Sequence, residues 1–373
     1  MIKEIKYIAK KIFSDKLILC LLPLSIIAII VNPNNIRNVD LDTILKLSAL
    51  LMLITIYQEN NIFSNFALEI VSKTKTKRQL IAVVLILTSF GSMLLTNDII
   101  ILTMIPIIFS ISKIIEVSEI KLSIIVTILA NMGSSISPFG NPQNIYIISF
   151  YNLSVISFFK MIWPILILTV FITVFGIYFF KQSEIELTNV TKSKKIKDKG
   201  WIILVTTFLV ILSVLNMIPF WLSILFSIVG ICLTDINYFK KIDYNIIVLF
   251  INFFLSTSLI NSNSIVSQII DNSINSNLSL FNIGVILSQV ISNVPMTIIL
   301  SNYTSNINIL YLSASIGGLG TLVASLANLL AYRQILSNGS KSQANKFIKK
   351  FTILNFLILL IIYLLLIIYY VIS

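Results

Sequence analysis

The sequence predicts an all-α polytopic membrane protein built from two inverted-topology repeats, each with a re-entrant helical hairpin and a broken transmembrane helix. Three observations predict it. Of 373 residues, 57% are apolar and 11% charged, whereas soluble domains carry about a quarter charged residues. Apolar runs such as 17–31, 201–215 and 351–372 hold almost no charge, and a bilayer core accepts ~20 apolar residues per helix, fewer where helices are short or broken. Finally, interrupted apolar runs recur in the same order in both halves of the chain.

Taken in order, helices are expected near 17–31 and 43–58, with an amphipathic piece at 61–72. Lys3 to Lys16 ahead of the first apolar run has the layout of a signal peptide. The run ends in Val31-Asn32-Pro33-Asn34-Asn35, which is no small-x-small cleavage site, so it reads as a retained first helix. The run 79–112 is interrupted at Thr96-Asn97-Asp98 and the run 121–153 between Gly133 and Pro142; a helix comes next at 159–180. After the polar stretch 181–199, helices are expected at 201–215, 220–234 and 245–260, then a polar stretch at 261–277. Interrupted runs at 279–303 and 309–335 precede a last helix at 350–371. The domains are therefore a first repeat at 1–181, a cytoplasmic basic linker at 182–200, and a second repeat at 201–373 that includes the connecting helix 201–215.

Charge sets the orientation. If 79–112 and 279–303 are hairpins returning to their own side, the chain makes about nine crossings and 24 of its 27 basic residues fall in the cytoplasm, leaving only Arg37, Lys46 and Lys160 outside. The N-terminus is then cytoplasmic and the C-terminus extracytoplasmic, in a plasma membrane. The net charge of +12 reads as this sorting of loop lysines and not as nucleic-acid binding. The chain has no His, which removes His–metal sites, Ser–His triads and His proton relays. Cys20 and Cys232 lie in apolar runs and imply no disulfide framework. No phosphate-binding loop appears, which argues against primary active transport.

The repeat is visible residue by residue. Ala130-Asn-Met-Gly133-Ser-Ser-Ile-Ser137-Pro-Phe-Gly140-Asn141-Pro-Gln-Asn144 aligns without gaps on Ala314-Ser-Ile-Gly317-Gly-Leu-Gly-Thr321-Leu-Val-Ala324-Ser325-Leu-Ala-Asn328, and Leu95-Thr96-Asn97-Asp98 matches Ile291-Ser292-Asn293-Val294. A helix broken inside hydrocarbon leaves N–H and C=O groups unsatisfied at several kcal/mol each, so breaks persist where protein or a watery cavity satisfies them. Freed carbonyls can coordinate Na⁺, and half-helix N-termini can face an anion. Asn97, Asn141, Asn144, Asn293 and Asn328 add neutral oxygens and N–H groups. Such residues also serve as polar glue between helices, but paired breaks with matching hydroxyls favour a binding site. Asp98, a carboxylate between two apolar stretches, is a functional candidate by default, as a proton carrier or Na⁺ ligand; its plainer reading is a cap on a half-helix starting at Ile99. Glu59 and Glu69 read as a solvated face.

At these residues the chain resembles the ion transporter superfamily of divalent anion:sodium symporters, citrate and arsenite permeases and a branch of sodium/proton antiporters. The Gly140–Asn144 stretch and the stretch from Gly317 to Asn328 look like the permease branch. The resemblance implies that the hairpin tips Thr96-Asn97-Asp98 and Ser292-Asn293-Val294 meet substrate and coupling ion. It places one Na⁺ site at Ser92, Asn97 and Gly140 and the other at Ser288, Asn293 and the backbone of Ala324, with Asn141, Pro142 and Ser325 facing substrate. It also implies a homodimer. The sequence departs from that pattern where Asp98 and Val294 replace two Thr and Leu326-Ala327 replaces a Pro pair. The function expected is secondary transport of a small inorganic or organic anion, coupled to Na⁺ or H⁺ and needing no other cofactor. The alternative is a sodium/proton antiporter using Asp98. A channel would not need paired breaks, and a membrane enzyme would need a nucleophile–base pair that the sequence lacks.

Overall fold

The computed structural model describes residues 12–180, 182–184 and 200–372. The expected linker 182–200 therefore lies almost wholly outside the described residues. Those described form helices and connections, with one isolated bridge between Thr76 and Glu184.

The N-terminal half runs α1 (Lys16–Val31), α2 (Leu41–Glu59), α3 (Ile62–Ser72), α4 (Lys77–Leu94), α5 (Asn97–Ile115), α6 (Glu119–Ser135), α7 (Pro142–Phe150), α8 (Val155–Met161) and α9 (Trp163–Tyr178). The C-terminal half runs α10 (Gly200–Val214), α11 (Trp221–Thr234), α12 (Tyr244–Ser262), α13 (Ser264–Ser273), α14 (Asn277–Ile291), α15 (Asn293–Leu300), α16 (Ile307–Gly317), α17 (Leu326–Asn338) and α18 (Lys341–Ile372). From α2 onward the N-terminal half reads helix, short helix, hairpin, broken helix and closing helix. The C-terminal half repeats that order from α12.

Among the described residues four helices, α2, α4, α12 and α18, are long and apolar enough to cross a membrane, and α8 with α9, bent by 54°, makes a fifth if the pair is one span. Further apolar helical stretches among the described residues run 10–17 residues, Asn97–Ser112 of α5 included; at 1.5 Å per residue even 17 residues span only about 25 Å, short of a ~30 Å hydrocarbon core. Helix length alone thus accounts for fewer spans than the nine expected.

Two apolar clusters divide the molecule. One packs the hairpins, broken helices and α18 together through residues such as Val84, Ile105, Met132, Met296, Phe347 and Phe351. The other binds α2 to α10, α11 and α12 through Leu50, Ile56, Val210, Ile231 and Phe254. Within the second body the Ser25 hydroxyl of α1 donates to Asn252 O of α12 at 3.3 Å, and Ser227 of α11 to Ala49 O of α2 at 2.9 Å. Large apolar side chains on α9, α10 and α18, among them Phe171, Phe175, Leu204, Phe208 and Leu360, face outward, as lipid-covered surfaces do.

The structure adjusts two expectations. The polar stretch 261–277 contains helix α13, because the Asn263 side chain accepts from the Ile265 and Val266 N–H groups and starts a turn. The last helix begins at Lys341, not 350, because Ser340 and Gln343 bond reciprocally: Ser340 N–H to Gln343 Oε1 at 2.8 Å and Gln343 N–H to Ser340 Oγ at 3.2 Å.

Lys46, counted among the three basic residues left outside and lying within the expected helix 43–58, is wholly buried on α2. Its ammonium donates to Asp42 Oδ2 at 2.8 Å, Ser149 Oγ at 3.1 Å and Asn216 Oδ1 at 2.6 Å, tying α2 to the end of α7 and to the α10–α11 connection. Removing one partner of a buried pair costs ~3–5 kcal/mol, less where the other partner reaches water. Asp42 is 23% exposed, so Lys46→Met is expected to destabilise by about 2 kcal/mol and lower the melting temperature in detergent by several degrees. An unchanged melting curve would show that the three contacts contribute no net stability.

Candidate functional site

The breaks are built alike in both halves. Between α4 and α5 the chain turns through Leu95 and Thr96; between α14 and α15 it turns at Ser292, whose φ of 79° is a strained setting for a side-chain-bearing residue. Asn97 N–H donates across to Gly140 O at 3.4 Å, and Asn293 N–H to Ala324 O at 3.0 Å. Each hairpin tip thereby satisfies a carbonyl in the break of the neighbouring helix. Asn144 Nδ2 donates to Ser135 O at 3.0 Å and Ser137 O at 2.8 Å, and Asn328 Nδ2 to Gly318 O at 3.0 Å and Thr321 O at 2.9 Å. These two Asn residues supply hydrogen bonds that an unbroken helix would have made with its own backbone.

Ser92 and Ser288 are fully buried, and their hydroxyls donate to carbonyls of their own helices, Thr88 O and Gly284 O, both at 2.8 Å. Facing them are Gly133 and Gly317. A Cβ at Gly133 would collide with Ser89 O and Ser92 Oγ, and one at Gly317 with the Ser288 side chain. The hairpins approach the broken helices so closely that only Gly fits.

The half-helix starts share a second property. The residues before α5, α7, α15 and α17 are Thr96, Asn141, Ser292 and Ser325, all good capping types, yet none makes a side-chain cap hydrogen bond. Elsewhere the same residue types do cap, as at Asp40, Thr76, Ser118, Ser154 and Asn263. The first-turn N–H groups at the breaks are thus left without side-chain acceptors, and each helix start carries the partial positive charge of its dipole.

These starts meet at a cavity of about 310 Å³ lined by Asn97, Asp98, Asn141, Pro142, Ser292, Asn293, Val294 and Ser325. Of the remaining expected site residues, Thr96 lines a second cavity of about 190 Å³. Ser92, Gly140, Asn144, Ser288, Ala324 and Asn328 stand behind the central cavity, in the backbone junctions just described. The second cavity shares Asp98, Pro142, Ile246, Leu249 and Leu326 with the first and reaches Lys241, Asp243 and Arg333. Lys241 is ion-paired with Glu59, and this hydrogen bond holds its amine above the usual lysine range. A third hollow, lined by Arg37, Asp40, Tyr146 and Phe254, shares Thr257 with the central cavity. On the wall of that hollow, Tyr146 pairs with Ser301 at 2.6 Å and packs on Phe254 with ring centroids 5.6 Å apart.

Asp98 does not cap. It sits inside α5, one residue past its start, and the cap position is Thr96. Among the described residues it makes no hydrogen bond or ion pair, and it faces both the central and second cavities.

Three further residues escaped the sequence reading. Asn131 joins the halves: its Nδ2 donates to Asn328 Oδ1 at 2.7 Å, while its Oδ1 accepts from Ser325 Oγ at 2.9 Å and Asn97 Nδ2 at 3.4 Å. Gln289 accepts from Thr321 N–H at 3.0 Å and donates to Gly317 O at 3.0 Å, bracing the second break. Gln143 lines the central cavity. The aligned partners of these residues are Ser315, Met93 and Ala327, so a search for matching positions passes over them.

The glycine contacts give a differential expectation. Gly317→Ala and Gly133→Ala should each lower thermal stability, but adding Ser288→Gly should restore Gly317→Ala, because the obstacle there is one side chain. Adding Ser92→Gly should leave Gly133→Ala impaired, because the Ser89 carbonyl remains. Equal rescue of both would show that backbone contact at Gly133 does not limit the approach.

Comparison with known proteins agrees with this geometry. Residues 7–310 match the family model described as citrate transporter. The chain is 31% identical over 318 residues to the uncharacterized transporter MJ0456 of Methanocaldococcus jannaschii, covering 83% of this chain and 85% of the relative. It is 27% identical over 299 residues to the inner membrane protein YbiR of Escherichia coli K12, covering 79% and 80%. With its all-helical build and its apolar outer surfaces, the chain is a membrane protein that belongs to the citrate transporter family of the ion transporter superfamily.

Proposed function

We propose that this protein is a secondary active transporter that moves a small anion or oxyanion across the plasma membrane by alternating access, coupled to Na⁺ or H⁺. One observation carries the reading: four uncapped half-helix starts, two from each half, converge on a single cavity. Such an arrangement presents N–H donors and positive dipole ends to an anion, while the carbonyls and Asn oxygens behind it suit a cation. The oxygens around Asn97 and Gly140, and around Asn293 and Ala324, fit a small hard cation by donor type.

The halves are taken as inverted repeats, the α4–α5 and α14–α15 pairs as re-entrant hairpins. Loop charge supports this, since it places the N-terminus inside and the C-terminus outside with 24 of 27 basic residues cytoplasmic. Alternating access draws support from the cavities. The central one runs broadly into that of Lys241 and Arg333, while the Tyr146–Ser301 and Tyr146–Phe254 contacts stand toward the opposite hollow. The homodimer remains a proposal resting on resemblance.

Asp98 is the coupling group of this proposal. It faces Asp243, Lys241 and Arg333 across the second cavity, so its charge responds to groups at the cytoplasmic mouth. The same carboxylate favours a second reading, sodium/proton exchange without an anion. Uptake into proteoliposomes of labelled anions, with and without Na⁺ and pH gradients, separates the two. Anion accumulation driven by either gradient supports the first; Na⁺ flux driven by pH alone, with no anion required, supports the second. In the active assay Asn97→Ala and Asn293→Ala should each reduce transport at least tenfold while leaving folded protein in the membrane. Asp98→Asn should stop proton-driven transport, or, if Na⁺ is the coupling ion, shift activation to higher Na⁺. Normal rate, Na⁺ activation and pH dependence in Asp98→Asn would remove its coupling role.

A further inference from the structure

The central cavity is unevenly polar. The hairpins and breaks contribute amides, hydroxyls and Asp98, whereas the facing wall from α1 and α12 presents Leu21, Leu24, Leu249, Phe250, Phe253 and Ile260. Ser256 and Thr257 add two hydroxyls to that wall, between Phe253 and Ile260; Ser256 Oγ has no hydrogen-bond partner among the described residues, and Thr257 also borders the hollow of Arg37 and Asp40. No Lys or Arg lines the cavity; Lys241 and Arg333 line the second cavity alone.

Gln143 supplies the second observation. It is 2% exposed and lines the cavity, and its Nε2 has no hydrogen-bond partner among the described residues. A buried amide donor is normally satisfied, so an orphan donor at a cavity wall, in the first turn of an uncapped half-helix, marks where an acceptor binds.

Charge and shape limit what that acceptor belongs to. Four helix starts, each equivalent to roughly half a positive charge, balance about two negative charges. Asp98 when ionised supplies one, leaving room for one more. A coupling cation on Asp98 would free charge for a second carboxylate but would leave the α1–α12 wall with no donor beyond the Ser256 and Thr257 hydroxyls. That carboxylate would lie beside Phe250 and Phe253 with its hydration lost and at most two hydroxyls in exchange. An apolar body, by contrast, gains there by leaving water.

We propose that this site binds a small amphiphilic monoanion, one carboxylate or like headgroup on an apolar body, with Gln143 Nε2 among the headgroup donors. This rests on the anion-transport reading and narrows it against a tricarboxylate such as citrate.

Thermal unfolding of the purified full-length protein, followed by tryptophan fluorescence at pH 7.5 and constant ionic strength, tests it. The probes are three monoanions (4-methylpentanoate, 2-oxo-4-methylpentanoate and benzoate) with succinate and citrate. The best monoanion should stabilise at a concentration at least tenfold below that needed for succinate or citrate. Gln143→Leu, with Gln143→Met as the second variant, should raise that concentration at least tenfold while leaving the ligand-free midpoint near its original value. Stronger stabilisation by succinate or citrate would overturn the monoanion assignment and leave anion transport standing. No stabilisation by any anion would overturn both. Undiminished monoanion binding in either Gln143 variant would overturn the role of Gln143.

Discussion

The structure depends on how helix ends are satisfied away from water. Each break leaves backbone N–H and C=O groups that hydrocarbon cannot solvate. The carbonyl side is closed by protein: Asn144 and Asn328 bond the carbonyls of their own breaks, and Asn97 N–H and Asn293 N–H bond Gly140 O and Ala324 O. On the N–H side none of the four starts has a side-chain cap. That asymmetry turns a folding problem into a site, because the donors left unused inside the chain are available to a ligand. It also explains the glycines: the carbonyl-side bonds require close approach of hairpin and broken helix, and Gly133 and Gly317 stand where that approach is closest.

The two apolar clusters give the site its mechanical setting. The hairpins and broken helices pack mostly into one cluster and the α2, α10–α12 helices into the other, which also takes in Ile145 and Tyr146 of α7 and Ile298 of α15, while the central cavity draws most of its polar lining from the hairpins and breaks and a largely apolar wall from α1 and α12. A substrate held there touches both bodies. The proposed alternating access would require one to slide past the other, the kind of movement that packed helices make. Asn131 spans the hairpin of one half and the break of the other, tying them together.

Much of this is legible in the sequence. Apolar runs locate every helix that frames the cavity, and the pairing of Thr96-Asn97-Asp98 with Ser292-Asn293-Val294 locates both tips. What the repeat cannot reveal is where the halves differ. Gln143, Asn131 and Gln289 have aligned partners Ala327, Ser315 and Met93, and their roles come from three-dimensional neighbours. Lys46 misleads because a lysine near an apolar run normally marks a loop, and its burial depends on Asp42, Ser149 and Asn216 arriving from separate elements. The early start of α18 is readable, since Ser340 and Gln343 have capping-box spacing, but the basic residues of that stretch draw it into the loop.

Ser325 tests the central claim, that the convergent helix starts form one transport site exposed to each side in turn. It starts α17, lines the central cavity and is 3% exposed. In protein lacking native thiols through Cys20→Ser and Cys232→Ser, a single Ser325→Cys thiol in sided vesicles can be probed with membrane-impermeant maleimide. The account predicts labelling from the Lys241–Arg333 side in one gradient condition and from the Arg37 side in the opposite one. Labelling confined to one side under every gradient, with transport intact, would contradict it.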